Sequence, residues 1–452
     1  MAGASLQLFS ALFARGGVAA QTGDAALLQA LLDVEAGLAR ALAHARIVPL
    51  SAAEAVSAAA RAERFDLAAL AEASSGAGNP VPALVKALLA KLPPEAAAAV
   101  HTGATSQDIV DSALMLIIKR ALPHLQDDLA AAASACARLA RQHGATAMSG
   151  RTLLQQATPI SFGLKAAGYM HALDQAGAHL RQLCSSQLLV QLGGASGTLS
   201  VLDARGVEIA RLLATELGLA EPTLPWHTLR MPMLQWASGL GMAAAVLGKI
   251  ARDITLLAQT EVDEVSEPEV PGRGISSTMP HKRNPVGAIV ALSCTRRVPA
   301  LVASMLSAAE QEHERAAGAW HAEWETLLEL LRLTGSAANW MREVLEGLQV
   351  NATHMRANLD AGHDFPLAER VSSALAPALG KAAAQSSVRD AVLRAAKSGQ
   401  RLRDTLDPTL LERANIDQAT LEALLDPNND LGSAAAFIER ALAEHEKPRQ
   451  DG

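Results

Sequence analysis

The stretch GRGISSTMPHKRNP, from Gly272 to Pro285, concentrates polar side chains in a chain otherwise dominated by Ala and Leu. Its glycines permit backbone angles that other residues avoid, so this 272–285 loop has room to move. No acidic residue occurs between Val270 and Ala309, although the interval carries five cations: Arg273, Lys282, Arg283, Arg296 and Arg297. Hydroxyl groups beside unpaired cations favour a site for an anion over the alternative, a solvated basic loop.

A first polar segment, HTGATSQDIVD, runs from His101 to Asp111 and offers several hydroxyl groups. Asp108 and Asp111 are three residues apart and share a face if a helix has begun there. One interpretation is a turn that binds carboxylates at a helix N-terminus, where free N–H groups favour anions. The other interpretation, an ordinary capping sequence, is the more frequent one for such a segment taken alone.

A second polar segment, GRTLLQQATP, runs from Gly150 to Pro159 and places Gln155 and Gln156 near the end of a tract that we expect to be helical. The amides could bind a substrate, but solvent-facing glutamines are the simpler interpretation. Arg315, in QEHERAAGAW, is a candidate anion ligand. It could equally pair with Gln311 or Glu312 on a helix surface.

The sequence favours neither a metal site nor a nucleotide site. The histidines are dispersed, and no HExxH spacing occurs. The stretch GGASG, Gly193 to Gly197, lies in what we expect to be helical context, without the strand that a dinucleotide fingerprint requires. We therefore expect no metal and no cofactor.

Composition predicts that these segments are carried by helices. Of the 452 residues, 50% are apolar and only 3% are aromatic, so Ala and Leu must build the core. Both residues head the helix-propensity ranking, which predicts an all-α fold. Because helix interiors exclude proline, we expect long helices only in proline-free tracts, including one of about 35 residues over 233–267.

The chain divides into three predicted parts. Residues 1–110 are expected to form an N-terminal helical domain, and residues 111–355 a central bundle of long helices that carries the 272–285 loop. Residues 356–452 are expected to form a C-terminal helical domain. In the first part, Leu27, Leu31, Val34, Leu38 and Leu42 recur at helical spacing after Asp24, a candidate N-cap.

Charge and cysteine content indicate the compartment and exclude some partners. The net charge is −7, which argues against nucleic-acid binding. Three scattered cysteines, an N-terminus without basic residues before its apolar run, and apolar stretches too short for a bilayer predict a cytoplasmic protein that does not bind membranes.

The polar segments together resemble the shared regions of the fumarase/aspartase superfamily. ISSTMPHKRNP resembles the SSxMPxKxNP signature, and HTGATSQD and GRTLLQQATP resemble the other two regions in order and spacing. The resemblance covers essentially the whole chain. It implies an all-α homotetramer whose central helices form a twenty-helix core, with each active site built from three subunits. The implied chemistry is proton abstraction beside a carboxylate followed by β-elimination, or the reverse addition.

Within the superfamily, the chain resembles the branch that closes lactone rings, on GNPVPALVKAL, TLLQQATPISFGLK, LGGASGTLS, PWHTLR and GISSTMPHKRNPVGA. Two departures from most superfamily lyases fit that branch. Where those enzymes carry a His in the second region and a Glu after the signature Lys, this chain has Leu153 and Ile289. A departing carboxylate, with a pKa of about 4, needs no proton from a general acid.

The resemblance also implies residue roles for a small polycarboxylate substrate. Ser276 is expected to exchange the proton, and Lys282 to stabilise the enediolate that forms. The expected substrate-binding residues are His101, Thr105, Ser106, Gln155, Asn284 and Arg315. The same resemblance implies no metal and no cofactor.

Three alternatives remain open at the level of sequence. The first is another β-eliminating lyase of the superfamily, such as adenylosuccinate lyase, which would be expected to keep the His at position 153. The second is a non-catalytic structural protein on this fold, as in lens crystallins. The third is a related cycloisomerase that acts on a different polycarboxylate.

Overall fold

The computed structural model describes residues 8–275, 278–279 and 282–447. Within them the chain is predominantly helical, and the prediction of an all-α fold is confirmed. The helices are α1 (Ser10–Phe13), α2 (Gly16–Gln21), α3 (Asp24–His44), α4 (Leu50–Ala59), α5 (Leu67–Ala77), α6 (Val81–Leu89), α7 (Ser106–Gln142), α8 (Phe162–Gln187), α9 (Gly206–Leu217), α10 (Met231–Leu257), α11 (Val286–Ala308), α12 (Ala319–Glu346), α13 (Ala352–Asp360), α14 (Ala368–Leu379), α15 (Lys381–Ser398), α16 (Leu402–Thr405), α17 (Pro408–Arg413), α18 (Gln418–Leu424) and α19 (Ala434–His445). The strands are β1 (Ala147–Thr152), β2 (Gln155–Ser161), β3 (Val265–Ser266) and β4 (Gln349–Val350).

Five long helices, α7, α8, α10, α11 and α12, pack side by side as a bundle. The 37 residues of α7 make it the longest of them, and at a rise of about 1.5 Å per residue it spans about 55 Å. Its buried face is built mainly from Ala, Leu and Ile, as the scarcity of aromatic residues requires. Small side chains let neighbouring helices approach closely, so the bundle can be dense without large aromatic groups.

Two of the long helices contradict the expectation that proline delimits them. Pro123 lies inside α7, and Pro299 lies inside α11. A proline in a helix interior costs about 3 kcal/mol. In these helices, buried residues lie on both sides of the proline, for example Leu122 and Leu125 in α7, and their packing offsets that cost.

Helix α10 is shorter than predicted. It ends at Leu257, after 27 residues, instead of continuing to residue 267. The backbone N–H of Glu264 returns to the Leu257 carbonyl, and Val265 then pairs with Val350 in the small antiparallel sheet of β3 and β4. This sheet joins the end of α10 to the chain that follows α12.

The described residues form two hydrophobic cores. The larger core runs from Val18 to Met355 and also includes Ile438 of α19, which packs on α8. The smaller core lies between Leu367 and Leu425. The predicted boundaries at residues 110 and 355 stay a prediction.

Helix α11 is the one described helix that is long and apolar enough to cross a membrane by length and composition alone. It packs along α10 and α12, and Arg296 and Arg297 lie in its middle. Core helices of bundles share this composition, so the helix is explained by its place in the bundle.

Candidate active site

The first polar segment forms the turn that begins α7. Thr105 is the N-cap of the helix, and its backbone N–H donates to the Asp108 carboxylate at 2.9 Å. Thr105 and Ser106, the N-cap and the first residue of α7, are half-buried. The segment therefore places two candidate ligands where free backbone N–H groups attract anions.

Asp108 joins this turn to two distant loops. Its buried carboxylate accepts hydrogen bonds from the backbone N–H groups of Gly193 and Gly194, both at 2.9 Å. It also contacts Nε2 of the buried His227 at 2.6 Å. The GGASG stretch is thus a loop that is hydrogen-bonded to the turn through Asp108. The expectation of a helix there was wrong.

A buried ion network lies one turn further along α7. The guanidinium of Arg230 bridges the carboxylates of Asp111, at 2.7 Å, and Glu323, and none of these three side chains is more than 1% exposed. Burial opposes the charge on Arg230, but the two carboxylates raise its pKa above the ordinary value. The indole N–H of Trp320 donates a hydrogen bond to the Asp111 carboxylate at 3.0 Å. The network fixes the start of α12 against the first polar segment.

Arg315 lies beside the same turn, in a loop and not on a helix surface. Its guanidinium donates to the side-chain oxygen of Gln107 at 3.1 Å and to the carbonyls of Gly194 and Ala195. The interpretation as a helical surface pair with its neighbours is therefore wrong. Arg315 braces the 193–195 loop and remains half-buried next to the candidate ligands Thr105 and Ser106.

The second polar segment is a β-hairpin, which corrects the expectation of a helical tract. Leu153 and Leu154 form a two-residue turn with φ of 50° and 64°, the sign pattern of a type I′ turn. Gly150 is required at the irregularity in β1, because a Cβ there would lie 2.4 Å from the Thr158 carbonyl oxygen. Gln155 is exposed on β2, opposite Thr152.

The 272–285 loop is closed at its base. Asn284 donates its backbone N–H to the Gly274 carbonyl at 3.0 Å and its side-chain amide to the same oxygen at 3.3 Å. At the far end, the Glu267 carboxylate accepts the N–H groups of Gly287, at 3.0 Å, and Ala288, at 2.7 Å, at the start of α11. Lys282 is exposed, and Ser276, the expected proton donor, lies outside the described residues.

Most of the cations that have no acidic neighbour in the sequence are paired with acidic residues from other parts of the chain. Arg273 pairs with Glu343, Arg283 with Glu269, and Arg297 with Glu329. Among the described residues, Lys282 and Arg296 make no ion pair. Within the described part of the loop, Lys282 is therefore the one cation without an ion pair, and it is close to the two serines in sequence.

Within one chain, the first polar segment and the 272–285 loop lie at opposite ends of helix α12. Trp320, near the start of α12, bonds Asp111, whereas Glu343, near its end, pairs with Arg273. The 23 residues between these positions on α12 correspond to about 35 Å of helix. Within one chain, Thr105 and Ser106 are therefore far from Lys282.

The second polar segment lies at the same end as the 272–285 loop. Arg151 makes a bidentate ion pair with the buried Glu264, at 2.8 and 2.7 Å. The backbone carbonyl of Glu264 in turn accepts the Asn351 N–H, just beyond the end of α12. The structure therefore gathers His101, Thr105, Ser106 and Arg315 at one end, and Gln155, Lys282 and Asn284 at the other.

Sequence reasoning missed two buried polar residues that support the site, Glu35 and His227. Glu35 falls between Leu31 and Leu38 on the apolar stripe of α3, and an acidic residue on such a stripe is a signal that could have been found. His227 carried no comparable signal, because its partner Asp108 is 119 residues away in sequence. Among the described residues, no group of three or more His, Cys, Asp or Glu side chains could hold a metal ion.

Comparisons with known proteins agree with this architecture. A model of the lyase family matches residues 17–299. The chain is 47% identical to the 3-carboxy-cis,cis-muconate cycloisomerase of Pseudomonas aeruginosa, over 97% of this chain and 96% of that protein. It is also 46% identical to the nitrosuccinate lyase of Streptomyces davaonensis, over 94% of this chain and 92% of that protein.

Among solved structures, the 3-carboxy-cis,cis-muconate lactonizing enzyme from Pseudomonas putida superposes with a TM-score of 0.92 at 42% identity. The match covers 98% of this chain and 99% of that one. Similarity of this extent includes the helical bundle and all three polar segments. The chain belongs to the lyase family, within the fumarase/aspartase superfamily.

Proposed function

We propose that the protein interconverts 3-carboxy-cis,cis-muconate and its carboxymuconolactone, as an intramolecular lyase of the protocatechuate branch of the β-ketoadipate pathway. The observation that carries this proposal is the identity of 47% over nearly the whole length to an enzyme of that name. The lactonizing enzyme that superposes on the whole chain supports it from the side of structure.

The reaction closes a ring without help from a general acid at the oxygen. One substrate carboxylate adds to an alkene carbon that is conjugated to a second carboxylate, and negative charge collects there as an enediolate. Lys282 stabilises that charge, and Ser276 delivers a proton to the neighbouring carbon; in the reverse direction Ser276 removes it. The alkoxide of Ser276 requires the cation, because a serine hydroxyl is otherwise too weak a base.

Binding of a tricarboxylate requires donors on several sides. The N-terminal turn of α7 presents Thr105 and Ser106 together with free N–H groups, which suits a carboxylate. His101 lies at the start of that turn, and Arg315 lies beside it. Gln155 and Asn284 are further ligands, although the Asn284 amide also closes the base of the loop. Correct placement of the reacting carboxylate alone contributes several kcal/mol.

Apolar residues at positions 153 and 289 fit this chemistry. Leu153 is 97% exposed and Ile289 is 49% exposed in the single chain, so neither is a core residue. A lyase that expels an amine or hydroxide must protonate its leaving group. The carboxylate that leaves when the lactone opens is already stable as an anion, so nothing at these positions has to supply a proton.

The proposal includes a cytoplasmic homotetramer with active sites shared by three subunits. The distance of about 35 Å between the two groups of candidate residues supports shared sites, because one chain cannot bring them to one substrate. The exposed Leu153 and Leu154 at the hairpin tip, 97% and 76% exposed, support burial by another copy.

Nitrosuccinate elimination is the second candidate function, because a relative of nearly equal identity carries that name. Elimination from nitrosuccinate would expel nitrite, which is stable as an anion at neutral pH. Apolar residues at 153 and 289 therefore fit that reaction too, whereas adenylosuccinate cleavage requires protonation of a leaving nitrogen.

A direct assay with purified enzyme separates these functions. We expect the ultraviolet absorbance of the conjugated diene of carboxymuconate to fall at a kcat of about 1–1,000 s⁻¹, the range of ordinary enzymes. The kcat/KM values for nitrite release from nitrosuccinate and for cleavage of adenylosuccinate should be lower than the value for carboxymuconate. A higher kcat/KM for nitrosuccinate would replace the first proposal by the second, and inactivity on all three would exclude both.

A further inference from the structure

A buried carboxylate holds His101 at the start of the turn that precedes α7. Oε2 of Glu35 accepts the backbone N–H of His101 at 3.0 Å, and Oε1 contacts Nδ1 of its ring at 2.7 Å. Glu35 is 0% exposed, whereas the His101 side chain is 24% exposed. One carboxylate thus fixes both the backbone and the ring of a residue that borders the proposed substrate turn.

The local backbone shows that this arrangement is imposed. His101 has φ of 56°, in the left-handed region that side chains with a Cβ usually avoid. Glu35 is an acidic residue on an apolar helix stripe, where an unpaired charge would be strongly unfavourable. Both hydrogen bonds of its carboxylate go to His101, within the part of the chain that the structure describes. The pair therefore satisfies a buried anion and stabilises a strained residue.

The charges around His101 all favour its protonated form. Glu35 faces it from α3, and Asp108 acts on it from α7. Burial lowers the pKa of His101, but the hydrogen bond and charge of Glu35, with a smaller contribution from Asp108, raise it above the ordinary value overall. Because Glu35 takes Nδ1, the opposite ring nitrogen, Nε2, has no hydrogen-bond partner among the described residues. A single donor is left for a ligand at the partly exposed edge of the ring.

We propose that Glu35 is a positioning residue that keeps His101 as an oriented imidazolium, with Nε2–H directed at a substrate carboxylate held by the Thr105–Ser106 turn. This inference rests on the proposed function, since it requires an anionic substrate at that turn. Glu35 does not touch the substrate and acts only through His101.

The pH dependence of KM in the Glu35→Gln variant tests the proposal. Glutamine can keep one hydrogen bond but loses the charge, so the pKa of His101 should fall toward its ordinary value of about 6.5. At pH 7.5 only about one-tenth of such histidines are protonated, so KM should rise, by at most about tenfold, while kcat changes little. At pH 5.5 about nine-tenths are protonated, and KM should approach that of the parent enzyme.

Asp174→Asn is the matched control. Asp174 contacts Nδ1 of His445 at 2.7 Å, which is also a carboxylate–histidine pair, but it joins α8 to α19 away from the turn. This variant should leave KM at its parent value at both pH values. A similar rise in KM in this control would show that loss of any such pair perturbs the enzyme, and would overturn the specific role of Glu35.

A second arm keeps the test informative if Glu35→Gln alone is poorly folded. Asn tolerates the left-handed backbone, so His101→Asn should fold. It should abolish the pH-dependent component of KM, and adding Glu35→Gln to it should not raise KM further. A further rise in the double variant would contradict action through His101.

The imidazole proton resonances of His101, followed by NMR, report the same titration without substrate. A lower titration midpoint in Glu35→Gln than in the parent, together with the pH-dependent KM, supports the proposal. If the parent turns over carboxymuconate but the KM ratio is flat from pH 5.5 to 7.5, the inference fails and the proposed function stands. If the parent is inactive on carboxymuconate, the proposed function fails, and the substrate role of His101 fails with it.

Discussion

At the scale of single residues, the 272–285 loop is less cationic than its composition indicates. Arg273 and Arg283 are paired with Glu343 and Glu269, whereas Lys282 is exposed and makes no ion pair among the described residues. The partner carboxylate of a paired cation cancels much of its positive potential, so the cation attracts a substrate anion only weakly. Among the loop residues that the structure describes, Lys282 is therefore our candidate for stabilising an enediolate.

Replacing Lys282 by Met should lower kcat by at least about a hundredfold, because the charge is needed most in the transition state. Ser276→Ala should abolish lactone formation and leave the assembly intact. Steady-state rates and gel filtration check both variants. A rise in KM alone for Lys282→Met, or normal turnover by Ser276→Ala, would contradict the assigned roles.

Leu153→His tests the leaving-group argument. Restoring the histidine that most superfamily lyases carry should not improve kcat/KM for carboxymuconate, because no proton has to reach the departing carboxylate. The measurement is the diene assay, with Leu154→His, at the other position of the same turn, as the control. A clear gain that is specific to position 153 would show that protonation of the leaving group limits the rate.

At the scale of elements, the base of the 272–285 loop depends on one close approach. Gly274 has φ of 72°, and a Cβ there would lie 2.7 Å from the Asn284 carbonyl oxygen. Gly272 has a similar φ, of 80°, but a Cβ there would meet nothing within 4 Å. Substitutions at the two glycines would therefore introduce similar backbone strain, but only a substitution at Gly274 would also disturb the closed base of the loop.

Gly274→Ala should lower kcat/KM more than Gly272→Ala does. Both changes introduce a Cβ at positive φ, at a cost of about 1 kcal/mol or more, but only the first pushes Asn284 away from the base. Activity and thermal unfolding should be measured on both. Equal losses of activity would mean that strain, and not the contact with Asn284, governs the loop.

At the scale of the whole molecule, α12 separates the two groups of candidate residues by about 35 Å. With the residue roles proposed above, a substrate of a few ångströms cannot bridge that distance, so the proposed site draws on more than one copy of the chain. In a symmetric oligomer, one subunit can supply the α7 turn and another the 272–285 loop.

Mixing two inactive variants should restore activity. When Ser276→Ala and Arg315→Ala chains are unfolded together and reassembled in equal amounts, about a quarter of the sites should combine an intact loop with an intact α7 turn. In the diene assay, the mixture should then approach that fraction of the activity of the parent enzyme, whereas each variant reassembled alone stays inactive. No recovery, with a normal assembly by light scattering, would mean that each chain builds its own site.

The sequence by itself determined the helical class, the polar segments and the position of the first of them at a helix N-terminus. These features depend on local propensity, apolar period and capping residues such as Thr105 and Asp108, which are close in sequence. Local reasoning misassigned the hairpin at Leu153 and Leu154, because Leu favours helices and the pairing of β1 with β2 overrides that preference.

Only the tertiary structure decided which charges remain free. The partner of Arg273 is 70 residues away, and that of His101 is 66 residues away. No local period or propensity encodes such pairs, because they form only when separate helices pack against each other. The residue types that can do chemistry were therefore readable from the chain, but their partners and their separation along α12 followed from the packing of the bundle.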